Sequence, residues 1–223
     1  MMVISLIRHG ATQSNYEHRY LGTTDEPLSE EGRERLAIQA RAGRYGEPKL
    51  VFTSPMIRCR ESADILFPRI GRIVIPEWTE IDFGAFEGKN YQDLKGDADY
   101  QAWIDSGGSM PFPNGESREG FVERVMRGLE RALSAWRLQK DSSGGIYVGS
   151  GQAAAETWEL EACAGKTADI EIAAVVHGGT IMALCSSLCG GEYFDYQAEC
   201  GEGYRVALDY VGREIKLREC EKL

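Results

Sequence analysis

Short apolar runs and longer stretches of helical period take turns along this chain. Residues 3–7, 50–53, 72–76 and 170–176 are short, largely apolar runs of strand length. Residues 204–211 and 214–219 alternate apolar and polar positions around Gly212, which predicts a closing hairpin. The clearest helical period covers 117–138, where Phe121, Val125, Leu129, Ala132 or Leu133, and Trp136 form one stripe. Residues 29–43 predict a helix with Ser29 as N-cap and Glu30 and Glu31 in its first turn, where the helix dipole favours acids. Ser54-Pro55 predicts another cap with proline at the first helical position, followed by Cys59, Ala63 and Leu66 at helical spacing. Residues 179–189 predict a further helix with Cys185 and Cys189 on one packed face.

Strands alternating with helices predict an α/β fold on a largely parallel sheet, in one domain over residues 1–223. The stretch 139–169 interrupts the alternation with Ser142-Ser143-Gly144-Gly145 and Gly149-Ser150-Gly151, then an Ala- and Glu-rich run. It reads as a surface insertion, either a peripheral excursion or a substrate lid. Within it Ala154, Trp158 and Ala162 fit a short helix, whereas Thr157 to Cys163 fit a strand, and both readings stay open.

Composition adds exclusions. Hydrophobic residues make up 43% and charged residues 27%, which places the chain among globular proteins. No apolar run approaches the ~18 residues of a membrane helix. The first residues, Met1-Met2-Val3-Ile4-Ser5-Leu6-Ile7, read as a buried strand and not as a leader. A formal charge of −10 speaks against nucleic acid and anionic membranes as partners. The six cysteines lack a C-x-x-C pair and zinc-ligand spacing, so free thiols in the cytoplasm, with no metal and no cofactor, are expected. Self-association stays open.

Candidate chemistry gathers at strand ends. Arg8-His9-Gly10 follows the first strand, and His177-Gly178-Gly179-Thr180 joins a later strand to a helix. In a parallel sheet, ligands bind at the carboxyl ends of strands. A helix N-terminus there favours an anion, and glycine lets backbone approach it closely. Arg58 falls in the first turn of the helix after 50–53 and points to the same edge. The third histidine, His18, reads as a surface residue.

Arg8-His9-Gly10-Ala11-Thr12-Gln13-Ser14-Asn15 resembles the signature of the histidine phosphatase superfamily, the phosphoglycerate-mutase-like fold. Arg19-Tyr20-Leu21-Gly22 with Asp25-Glu26-Pro27-Leu28-Ser29, and Ser54-Pro55-Met56-Ile57-Arg58, resemble its next two motifs. Glu80-Ile81-Asp82-Phe83-Gly84-Ala85-Phe86-Glu87-Gly88 is similar to its acid motif, and Pro113-Asn114-Gly115-Glu116-Ser117 and Val176-His177-Gly178-Gly179 complete the set in order. The resemblance implies a three-layer α/β/α sandwich and a phosphomonoester phosphatase working on a small phosphorylated metabolite. His9 would become a phosphohistidine, a two-step displacement that needs a neutral imidazole held in one tautomer. Arg8 and Arg58 would clamp the phosphoryl oxygens, with His177 and Asn15 as further donors; Leu21, Gly22 and Gly178 would line the substrate site. Glu80 would be the general acid, chosen by the motif over Glu77, Asp82 and Glu87, which spacing alone does not separate; Glu87 reads as a partner within the loop turn.

The chain departs from the family pattern at Ala11, where an acid is common, and at 139–169. The short region from Gly88 to Pro113 is closer to the α-ribazole-phosphatase-like branch. Two rivals remain: a phosphoglycerate mutase using the same pocket, and a non-catalytic binding module of the same fold.

Overall fold

Side-chain alternation along the strands decides the layering. The computed structural model describes residues 1–141, 170–211 and 214–223. Six strands form one mixed sheet: β1 (Met2–Arg8), β2 (Leu50–Thr53), β3 (Arg72–Val74), β4 (Ile170–Val176), β5 (Gly203–Val211) and β6 (Glu214–Lys222), ordered β3-β2-β4-β1-β5-β6. The first four in that order run parallel, and β5 and β6 add an antiparallel edge hairpin. The helices are α1 (Gln13–Tyr16), α2 (Glu30–Arg41), α3 (Ile57–Leu66), α4 (Tyr91–Leu94), α5 (Ala98–Asp105), α6 (Arg118–Asp141) and α7 (Gly178–Cys189).

On one sheet face Ile4, Leu6, Phe52, Ile172 and Val176 pack against Phe121, Val125 and Leu129 of α6 and Ile181 and Leu184 of α7. On the other, Ile7, Val51, Ala173 and Val175 pack against Leu36 of α2 and Cys59, Ala63 and Leu66 of α3. From Ile172 to Val176 successive side chains of β4 thus enter opposite cores, which is why 172–176 reads as an unbroken apolar run. The result is the expected helix–sheet–helix sandwich.

The predicted elements are present with shifted ends. Ser29 caps α2 by accepting the Gly32 N–H, as expected. The third strand stops at Val74, because Pro76 opens a 3₁₀ turn, Pro76–Trp78. The predicted cap at Ser54 is a correction: α3 starts at Ile57 with Met56 as its N-cap. Ser54 is still extended, its N–H donating to the Val175 carbonyl at 3.1 Å. Residues 139–141 continue α6. The rest of the expected insertion, including both readings of 152–164, lies outside the described residues, as does Gly212. Among the described residues no helix is long and apolar enough to cross a membrane.

Candidate active site

β1 and β4 are neighbours in the sheet, with Arg8 opposite Val176. The ladder runs one residue further, His9 N–H donating to the Val176 carbonyl at 2.9 Å. His9 and His177 therefore leave the sheet side by side, ring centroids 5.2 Å apart and edge to face.

The two rings are held differently. His9 Nδ1 lies 2.7 Å from the Gly10 carbonyl. A carbonyl only accepts, so Nδ1 carries the proton and Nε2 keeps its lone pair. Burial and the cations Arg58 and Arg8 hold the His9 pKa well below its usual value, so the ring is neutral at pH 7. His177 is fully buried, and its Nδ1 accepts from Arg58 Nε–H at 3.3 Å. Its proton is therefore on Nε2, which donates to Ser54 Oγ at 2.8 Å. Burial and Arg58 depress its pKa as well. Ser54 Oγ, which also accepts the Met56 N–H at 3.3 Å, serves as this ring's acceptor.

Arg58 is fully buried, and its fork is spread over the loop after α1, Nη1 donating to Thr24 O and Nη2 to Gly22 O, both at 2.8 Å. Arg8 Nη1 donates to Ala198 O at 2.7 Å, while its Nε is buried with no hydrogen-bond partner. Asn15 caps α1 reciprocally with Thr12, its Oδ1 taking the Thr12 N–H at 3.1 Å.

Glu80 is 7% exposed. Its Oε1 accepts the Ile81 N–H at 2.9 Å and its Oε2 accepts the Gly179 N–H, in the first turn of α7, at 3.0 Å. Burial raises its pKa, outweighing those N–H groups and both arginines, so the carboxyl is biased toward holding a proton. Its loop is fastened by a residue that sequence reasoning missed. Arg124 of α6 donates through Nη1 to Glu77 O at 2.8 Å and Thr79 O at 3.0 Å, and pairs with Glu116 at 2.7 Å. An arginine beside the apolar stripe of Phe121 and Val125 was the available signal.

A cavity of about 480 Å³ opens over this edge. Of the expected residues, Arg8, His9, Asn15, Leu21, Glu80 and Gly178 border it. Arg58, His177 and Gly22 do not. Gly22 holds Arg58 through its carbonyl and gives its N–H to Glu87 Oε1 at 2.8 Å. Among the four acids that spacing left open, Glu80 alone reaches the cavity: Glu87 ties the loop through Gly22 and Thr24, Asp82 takes the Gly84 N–H, and Glu77 pairs with Arg131. His18 is exposed in the left-handed region, φ 54°. Further lining comes from Tyr20 and Phe83, which lie within quoted motifs, and from Met182, Phe194, Gln197 and Glu199, which lie in none. Among the described residues no cluster of three or more His, Cys, Asp or Glu could hold a metal ion.

A neutral histidine with a free Nε2, two arginines and a buried carboxyl at one sheet edge define a site built for an anion and for proton transfer. The histidine phosphatase superfamily (branch 1) matches residues 4–146, and the chain belongs to that family. It is 31% identical over 140 residues to the “Probable phosphoglycerate mutase GpmB” of Cronobacter sakazakii, covering 60% of this chain and 64% of that protein. It is 33% identical over 134 residues to the adenosylcobalamin/alpha-ribazole phosphatase of Escherichia coli K12, covering 58% and 66%. The matched stretch thus spans just under two thirds of these relatives. The fold is similar to that of the alpha-ribazole phosphatase of Shigella flexneri, with a TM-score of 0.70 at 24% identity over 97% of this chain and 95% of the other.

Proposed function

We propose that the protein is a phosphomonoester phosphatase working through a phosphohistidine on His9, with a small phosphorylated metabolite as substrate. The observation that carries this reading is the His9 ring: Nδ1 pinned on the Gly10 carbonyl, Nε2 unprotonated, bordering a cavity beside Arg8. Nucleophilic attack by Nε2 on phosphorus expels the alcohol oxygen, which takes a proton from Glu80. In the second step the Glu80 carboxylate accepts a proton from water, and that oxygen displaces His9 as inorganic phosphate forms. Arg8 and Arg58 supply fixed positive charge where phosphoryl charge is spread in the transition state. Metal is not required for any of these steps.

Rapid quench during turnover of a radiolabelled phosphomonoester tests the mechanism. Acid-labile, alkali-stable label on His9 is expected; label on Ser, Asp or Cys would overturn it. The family relative named as a phosphoglycerate mutase favours a second reading, in which the phosphoenzyme returns its phosphoryl group to a glycerate. Interconversion of the two monophosphoglycerates faster than phosphate release would establish that reading instead. Absence of turnover on a broad panel of phosphorylated metabolites would leave the binding module.

A further inference from the structure

The cavity is far larger than a phosphoryl group and has the size of a small-molecule pocket. Its apolar wall begins at Tyr20 and Phe83, whose ring centroids lie 5.1 Å apart. Both rings are backed by a buried aromatic cluster. Phe83 meets Phe112 at 5.0 Å, and Trp103 stacks on Phe112 at 4.9 Å. Such backing fixes the two rings, so little order is lost when a ligand packs on them.

Phe194 extends this wall from another part of the chain. A Cβ placed on Gly108 would touch the rings of both Trp103 and Phe194, so Phe194 sits beside the cluster. It is 45% exposed, and among the strongly exposed large apolar side chains of the described residues it is the one bordering the cavity. The segment bearing it lies between Gly191 and Gly201, both at positive φ, and is tied to the site by Arg8 through the Ala198 carbonyl.

Charge at the mouth points the same way. Arg19 borders the cavity but is engaged by Glu17 at 2.6 Å and Asp93 at 2.7 Å. Lys222 lies 3.4 Å from Glu202, and Glu199 adds a negative group to the lining. Beyond the phosphoryl end, the two cations that border the cavity among the described residues, Arg19 and Lys222, have carboxylate partners.

From these features we infer that the alcohol half of the substrate carries a flat apolar group and no second anionic group, and that Phe194 selects for it by packing against its face. This rests on the phosphatase reading for the word substrate, but binding can be tested without turnover. The probes are a naphthylmethyl phosphonate and the phosphonate analogue of a phosphoglycerate, both inert to hydrolysis. Calorimetric titration of the intact protein is expected to give at least tenfold tighter binding of the naphthyl compound. Phe194→Ala should cut that preference about tenfold, and Phe194→Trp should restore it, with thermal unfolding unchanged in both. Equal affinities for the two probes, or equal losses for both in Phe194→Ala, would overturn the inference. If the naphthyl preference holds while no phosphomonoester is hydrolysed, the phosphatase reading falls and this subsite stands.

Discussion

The ends of β1 and β4 look alike in sequence: each is an apolar strand followed by His-Gly. Their surroundings separate them. The β1 end turns directly to the cavity, and the Gly10 carbonyl leaves His9 with an open Nε2. The β4 end is sealed, with both nitrogens of His177 engaged by Arg58 and Ser54. What β4 brings to the cavity edge is the start of α7, where Gly178 borders the space and the Gly179 N–H holds Glu80. One motif thus serves two ends, a ring with an open nitrogen at β1 and a fixed scaffold for an arginine and an acid at β4. The partners of each imidazole decide which: the neighbouring Gly10 carbonyl for His9, and Arg58 and Ser54, about 120 positions away, for His177.

The sharpest way to break this comparison is to remove each ring. In His9→Ala, turnover is expected to fall on the order of 10⁴-fold or more, as for loss of a covalent nucleophile, with unfolding little changed. His177→Asn should lower kcat about 100-fold, the scale of a lost positioning or stabilising group. It should also cost about 1–3 kcal/mol of stability, because Arg58 Nε and Ser54 Oγ lose a buried partner. Paired urea melts and steady-state kinetics check both. A phosphoenzyme that still forms in His9→Ala, carried by His177, would invert the assignment.

Much of this was legible in the sequence, for physical reasons. β4 reads as a strand because both its faces are buried, and Ser29 reads as a cap because its hydroxyl meets the Gly32 N–H. His9, Arg8 and Glu80 were legible because each lies within a motif, and all three border the cavity. What was not legible depends on packing across the chain. Ser54 looked like a cap because Pro55 follows it, yet its hydroxyl faces His177, a residue 123 positions away. Arg58, His177 and Gly22 were expected at the substrate; none of them borders the cavity, and the Gly22 and Thr24 carbonyls hold the Arg58 guanidinium. Arg124 stood out only as an arginine beside an apolar stripe, and its grip on the Glu77–Thr79 loop, like the place of Phe194 at the cavity, depends on segments far apart in the chain.

The proton-donating side of the comparison is tested at Glu80. Glu80→Gln is expected to slow hydrolysis of alkyl phosphates about 100- to 1,000-fold and of p-nitrophenyl phosphate far less, since a good leaving group needs little acid help. Equal losses for the two esters would remove Glu80 from that role. Gly179→Ala should reproduce a weaker version of the same selectivity, on the order of tenfold. A Cβ there would run into Glu80 Oε1, moving the carboxyl while leaving it present. Leaving-group dependence of kcat separates this displacement from general damage.

The smallest effect, and the one that reads the environments of both rings without substrate, is the pH dependence of stability. Folding depresses the pKa of His9 and His177 below the usual 6.5, mainly by burial. Below 6.5 the unfolded chain therefore binds protons that the folded one refuses. The histidine contribution is present above 6.5 and is lost as pH falls, with a limiting slope of about 1.4 kcal/mol per pH unit for each ring. Glu80 has the opposite sign: its folded pKa lies above the usual 4.5, so its contribution is present below that value and is lost as pH rises through the raised folded pKa. Between the two reference values the histidines and the carboxyl oppose one another. Urea unfolding at a series of pH values should therefore show a shallower rise of stability toward 6.5 in His177→Asn than in wild type. In Glu80→Gln the rise should be steeper. A His177→Asn curve parallel to wild type would mean that His177 is not held neutral by its burial and Arg58, and the contrast drawn between the two strand ends would lose its electrostatic basis.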